Sequence, residues 1–99
     1  MSTPIKYYTV GPITGNEKWV EQFTHARQVI IKQGVCLSPL DYPEGLSQRE
    51  YMMLSVQNVF IADCVITLNG WENSPGAKAE VALAKSIGTP IMHITDMVH

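Results

Sequence analysis

A carboxylate set among small and apolar neighbours is the most informative feature of this sequence. Glu80 lies in a stretch of helical periodicity, and the residues three and four positions away are Gly76, Ala77, Leu83 and Ala84, none of them a cation. Lys78 and Lys85 stand two and five positions away and so project elsewhere. Burying such a carboxylate without a partner is costly and tends to raise its pKa. Two readings stay open. Either this edge of the helix is exposed or paired with a distant Lys or Arg, or Glu80 lines a cleft beside the helix start at Ser74, where an anion would also be welcome.

Gly11-Pro12-Ile13-Thr14-Gly15 is the second such feature. It lets the backbone approach a ligand closely, and its N–H groups and the Thr14 hydroxyl could be directed at a phosphate or sugar oxygen. It is neither a GxGxxG nor a Walker loop, and alone it reads equally well as a strand-to-helix turn. Asp41 could supply a proton or contact a sugar, or merely form the turn before Pro43. Trp71 could stack on a base or serve an interface. Tyr51 and Met52 could wall a base pocket, though helix packing is their default use. His25, His93 and His99 are scattered and do not make a zinc site, so no metal or cofactor is expected. His93, inside an apolar run, reads as a hydrogen-bonded core histidine.

These residues have to be positioned by short elements. Ile5 to Val10 is a β-prone run closed by Gly11-Pro12, and Trp19, Val20, Phe23, Ala26, Arg27 and Ile30 mark an amphipathic helix, with Gly34 in the position of a C-cap glycine. Val35 to Ser38 is a second strand ended by Pro39. Ser47 and Glu50 form a capping-box pattern, which predicts a second helix to about Ile61. Cys64 to Leu68 is apolar enough for a central parallel strand covered on both faces. Ser74 as N-cap and Pro75 at the first helical position open a third helix to Ser86, Gly88 closes it, and Pro90 to Ile94 is a fourth strand.

Strand and helix alternate with short loops, which predicts a small Rossmann-like or flavodoxin-like three-layer α/β domain. Its four-stranded parallel sheet takes the order 2-1-3-4, with three main helices and right-handed crossovers. Ligands bind such sheets beyond the carboxyl ends of the strands where the order reverses, here between the first and third strands. The loops at that point are Gly11 to Asn16 and Asn69 to Gly76.

The chain has 99 residues, 45% of them hydrophobic and 16% charged, which suits one domain spanning 1–99. A formal charge of −2 and the lack of a Lys/Arg run argue against duplex nucleic acid as a partner and for a small molecule. Cys36 and Cys64 fall on strands separated by a third, roughly 10 Å apart from strand spacing, beyond disulfide reach. Two reduced thiols, with no secretory leader and no long apolar run, predict a cytoplasmic protein that does not cross a membrane. A sheet this small exposes two edges and much helix surface, which predicts a homodimer or larger assembly.

Tyr8-Thr9-Val10-Gly11-Pro12-Ile13-Thr14-Gly15, followed by Ala62-Asp63-Cys64-Val65-Ile66 and Ser74-Pro75-Gly76-Ala77-Lys78-Ala79-Glu80, resembles the nucleoside 2-deoxyribosyltransferase superfamily. Gly70-Trp71-Glu72-Asn73-Ser74 looks like its small phage and bacterial branch. The resemblance runs in order through nearly the whole chain. It implies Glu80 as the nucleophile that attacks an anomeric carbon and Tyr8 as the residue orienting that carboxylate. It also implies that Ser74 and the Gly11 to Gly15 loop favour a 5′-phosphate, as in the deoxynucleoside 5′-monophosphate N-glycosidases. Trp71, where it does not serve an interface or a cap, and Gly76 are expected at the same substrate site. The chain departs from the family at Ser55, where a catalytic aspartate usually stands eight residues before the position of Asp63. A serine cannot protonate a leaving base as a carboxylic acid does. Asp63 opens the third strand, at the wrong end of the sheet, and reads as structural. Two functions are therefore expected: an N-glycosidase or deoxyribosyltransferase, or a protein that senses or sequesters a nucleotide without chemistry.

Overall fold

The computed structural model describes residues 3–98, and His99 lies outside them. Strand β1 (Lys6–Val10), helix α1 (Trp19–Ile30), strand β2 (Val35–Leu37), helix α2 (Gln48–Ile61), strand β3 (Cys64–Thr67), helix α3 (Pro75–Ser86) and strand β4 (Ile91–His93) follow one another in strict alternation. The sheet order is β2-β1-β3-β4 and every pairing is parallel, as the pattern of elements predicts. Tyr7 of β1 faces both Cys36 of β2 and Cys64 of β3 in register. The two cysteines therefore stand two strands apart, and both are free thiols.

Side chains that alternate along a strand point to opposite faces, and here they divide the core in two. Tyr7, Cys64, Ile66 and Leu68 pack with Phe23, Ala26 and Ile30 of α1. Tyr8, Val10 and Val65 pack on the other face with Val59 of α2 and Ala77, Val81 and Ala84 of α3. Ser47 forms the capping box at α2: its hydroxyl accepts from the Glu50 N–H, while the Glu50 carboxylate accepts from the Ser47 N–H. Ser74 caps α3 by accepting from the Ala77 N–H, with Pro75 at the first helical position. No helix among the described residues is long and apolar enough to cross a membrane.

Gly34 departs from the sequence expectation. Helix α1 ends at Ile30, and Gly34 is not in the left-handed conformation of a C-cap glycine. It is required for another reason: a Cβ there would stand 2.3 Å from the Ile5 carbonyl oxygen and 3.0 Å from the Tyr7 ring, where the chain passes close under β1 on its way into β2. Gly15, by contrast, has φ +78° with open space around its Cβ position. Substituting alanine separates the two causes. Gly34→Ala should lower the unfolding free energy by about 2 kcal/mol or more through overpacking, and Gly15→Ala by roughly 1 kcal/mol through backbone strain, both measured by chemical denaturation.

Candidate functional site

Tyr8 lies in the middle of β1, fully buried, and faces the α2 and α3 layer. Its hydroxyl stands 3.2 Å from that of Tyr42, in the loop after β2. Tyr42 in turn accepts a hydrogen bond from the Asn58 side-chain amide at 2.9 Å and lies 3.2 Å from the Ser55 hydroxyl. Asn58 and Ser55 are three residues apart, on the same face of α2. The Tyr42 ring stacks on Tyr51, whose hydroxyl donates to the Pro43 carbonyl at 2.9 Å. A cleft of about 200 Å³ opens beside Tyr42, bordered by Leu37, Ser38, Asp41, Leu54, Gln57 and Asn58.

Glu80 reaches toward this cluster from α3. Its Oε2 is shut off from solvent and has no hydrogen-bond partner. Burial pushes its pKa up to about 7, and the neighbouring Tyr8 hydroxyl is the group that draws it back down. Tyr8 is itself driven far above the usual phenol range, first by burial and then by the nearby Glu80 and Tyr42. No cation pairs with Glu80 among the described residues, where the ion pair is that of Arg27 with Asp41 at 2.8 Å. The Glu80 side chain as a whole is half-buried, with one carboxylate oxygen shut off from solvent.

The loops after β1 and β3 and the start of α3 carry most of the other expected positions. Gly11 is buried against Leu68, and Ile13 packs on the α1 side, while Thr14 and Gly15 are exposed at the loop tip. A Cβ on Gly70 would come within 3.3 Å of the Pro12 ring, so the loops after β1 and β3 lie in contact. Asn16 and Gln22 tie them further: Asn16 donates to the Pro12 carbonyl and to Gln22, and Gln22 donates to the Asn69 carbonyl, at 2.9, 3.0 and 2.9 Å. Trp71, in a 3₁₀ turn leading to α3, is half-buried against the Tyr8 cluster. Gly76 stands in the first turn of α3 with only Met52 near its Cβ position. Its N–H is left free at the helix end, because Pro75 has none and that of Ala77 is taken by Ser74.

Asp41 is not brought to Glu80. It turns to Arg27 of α1, on the opposite face of the sheet from α3, although it borders the cleft beside Tyr42. Asp63 accepts from the Lys6 N–H at the amino end of β1, far from the carboxyl ends. His93 is hydrogen-bonded through both ring nitrogens, to Thr67 at 2.8 Å and Asn69 at 2.9 Å. Sequence reasoning missed Tyr42, Asn58, Asn16 and Gln22. The pair Ser55 and Asn58, polar at helical spacing in the more apolar part of α2, was the available signal for the first two.

From residue 5 to residue 93 the sequence matches a family model described as "Domain of unknown function (DUF4406)". The chain belongs to this family. None of the curated proteins matches it. Among solved structures, a 2-desoxiribosyltransferase from Leishmania mexicana has a TM-score of 0.74 at 18% identity, over 91% of this chain and 63% of that one. A conserved protein from Enterococcus faecalis V583 has a TM-score of 0.71 at 18% identity, over 92% of this chain and 63% of that one. This DUF4406 chain thus shares the fold of both neighbours, one of them a 2-desoxiribosyltransferase, and spans 63% of the length of each.

The buried carboxyl makes stability depend on pH in a definite direction. Glu80 ionises near 4.5 in an unfolded chain and near 7 in the folded protein, so the folded state binds the extra proton between those values and stability falls as pH rises through them. Glu80→Gln removes that cost. The variant should gain over the parent between pH 5 and pH 8, by at most about 3 kcal/mol for a displacement of this size, measured by chemical denaturation at both pH values.

Proposed function

We propose that this protein cleaves the N-glycosidic bond of a deoxynucleoside or deoxynucleoside 5′-monophosphate in the cytosol, with Glu80 as nucleophile. The observation that carries the reading is the Glu80 Oε2, buried, unpaired and beside Tyr8. A lone pair that no protein donor occupies, in a site poor in water, is what attack on an anomeric carbon requires. The carboxylate oxygen bonds to C1′ as the bond from C1′ to the base nitrogen breaks, and the electron pair leaves with the base. Water then attacks C1′ and restores Glu80; a second base in place of water makes the reaction a transfer. The developing positive charge on the sugar stabilises the carboxylate, offsetting the burial that raises its pKa.

Substrate placement follows from the loops. The Ser74 hydroxyl uses its oxygen to cap α3, which leaves its hydrogen for a phosphate oxygen, and the Gly76 N–H points from the same helix end. Gly11 to Gly15, with the exposed Thr14 hydroxyl, closes over the phosphate, and Trp71 borders the sugar and base. Asp41, the carboxyl group at the cleft beside Tyr42, is held in an ion pair with Arg27, so in this reading the proton for the departing base comes from solvent. A neighbouring subunit completes the site, supported by Met53 and Phe60, both exposed on α2.

A specific observation favours a second reading, a protein that binds the nucleotide without cleaving it. Ser55, not a carboxylic acid, faces Tyr42, and Asp41 is engaged with Arg27. Incubation with a panel of deoxynucleoside monophosphates, with free base followed by chromatography, separates the two. Catalysis predicts base release that Glu80→Ala lowers on the order of 10³-fold or more, and Ser74→Ala should raise KM for phosphorylated substrates selectively. Tight binding without release, unchanged by Ser55→Asp, would establish the second reading.

A further inference from the structure

The end of the sheet opposite the candidate site carries an exposed apolar patch. Ile5 precedes β1, Ile31 follows α1, Val35 opens β2, Ile61 closes α2 and Ile87 follows α3, and each of these side chains is between 39% and 59% exposed. Backbone hydrogen bonds hold them at one pole, the amino ends of the strands. The Val35 N–H donates to the Ile5 carbonyl at 2.8 Å. Two residues after Ile61, the Asp63 N–H donates to the Lys6 carbonyl at 2.7 Å, and three residues after Ile87 the Pro90 carbonyl accepts from Val65 at 2.9 Å. A single exposed aliphatic side chain is ordinary on a protein surface, whereas a group of them drawn to one end from four chain segments marks a contact surface. The cleft beside Tyr42 borders none of them.

The charge at this pole is opposite in sign to that of the whole chain. Lys6, Lys32 and Lys85 stand within two residues of Ile5, Ile31 and Ile87. Among the described residues the carboxylate at this end is Asp63, whose Oδ2 accepts from the Lys6 N–H at 2.9 Å. The local charge is thus +2 in a chain of formal charge −2, and Glu17, Glu21, Asp41, Glu44, Glu50 and Glu72 all lie toward the other end. Lysines near helix C-termini answer the helix dipole, but the exposed isoleucines beside them answer nothing inside the fold. We propose that this pole docks on an anionic lipid bilayer, its isoleucines entering the boundary between headgroups and acyl chains and its lysine heads reaching lipid phosphates. A second copy set on the same patch by a two-fold axis would bring like charges together. Protein interfaces are anchored by Trp, Tyr and Arg and depleted in Lys, the reverse of this composition. Docking by this pole turns the carboxyl ends of the strands to water, so the inference stands whatever reaction the site performs.

Flotation with lipid vesicles at low salt tests the docking. The protein should float with vesicles of equal parts phosphatidylglycerol and phosphatidylcholine and stay behind with phosphatidylcholine alone. Each lysine near an anionic surface favours binding about fivefold, so Lys32→Ala combined with Lys85→Ala should weaken it roughly 25-fold. Ile31→Ser should weaken it about tenfold by withdrawing an aliphatic side chain. Val20 supplies the control, being 51% exposed but at the start of α1, at the other end of the molecule, so Val20→Ser should leave binding unchanged. Lys32, Lys85, Ile31 and Val20 are all exposed, and chemical denaturation of the variants should match the parent. No flotation with the anionic vesicles, equal flotation with phosphatidylcholine alone, or equal losses in Ile31→Ser and Val20→Ser overturns the proposal. A parent that is dimeric in light scattering and becomes monomeric in Ile31→Ser overturns it too, because the patch then belongs to a second copy.

Discussion

The structure turns on one carboxylate held out of water without a cation. An ionised oxygen in a poorly solvated place costs free energy unless hydrogen bonds or charge compensate it, and net stability is only about 5–15 kcal/mol for a domain. Glu80 could have avoided the cost one position along α3: Ala79 is exposed, and a glutamate there would stand in solvent. The fold instead surrounds Glu80 with small residues and sets Tyr8 beside it from the central strand. Its high pKa follows from burial, with the Tyr8 hydroxyl as the restraining influence. The same feature that weakens the fold at alkaline pH leaves a carboxylate oxygen without a hydrogen-bond partner.

Holding that oxygen in place requires rigidity on two sides of the sheet. Tyr8 is fixed because β1 lies between β2 and β3, paired to both, with no freedom to slip by one residue without turning the tyrosine to the α1 layer. The loops above it are fixed by different means. Pro12 lies against Gly70, and Asn16 and Gln22 link the carbonyls of Pro12 and Asn69. His93 continues the link to β4 through Asn69. A side-chain network thus joins the carboxyl ends of three neighbouring strands, and the mouth of the site is built by polar contacts where the sheet itself can supply none.

The sheet order and the helix starts were legible because each follows from local rules. Alternating short apolar runs and periodic stretches with tight loops leave few topologies, and Ser47-Glu50 and Ser74-Pro75 announce their helices by cap chemistry alone. Gly34 was legible as special but not for the correct reason, because its constraint is a close approach to Ile5 and Tyr7, 27 or more residues away in sequence. The same distinction divides the site. Glu80 stood out through its own helix neighbours, which periodicity reveals. Tyr42 did not, since its partners Tyr8, Ser55 and Asn58 come from two other elements and meet only in the folded chain. Asp41 drew attention as a carboxyl group in a loop, yet its ion pair with Arg27 depends on the packing of α1 against the end of β2.

Ser55 joins α2 to the loop after β2 through the Tyr42 hydroxyl. A carboxylic acid at that place could protonate a leaving base, but when ionised it would compete with Glu80 for the hydroxyl hydrogens of Tyr8 and Tyr42 and would add a second negative charge nearby, raising the Glu80 pKa further. Serine gives up the acid and removes the competition. The result is a site with one carboxyl group in place of a coupled pair. On the proposed reading, it depends on a substrate whose base departs readily or on a proton from outside the α2 cluster. On that reading, attack on the sugar is left to Glu80, and departure of the base receives no acid from α2.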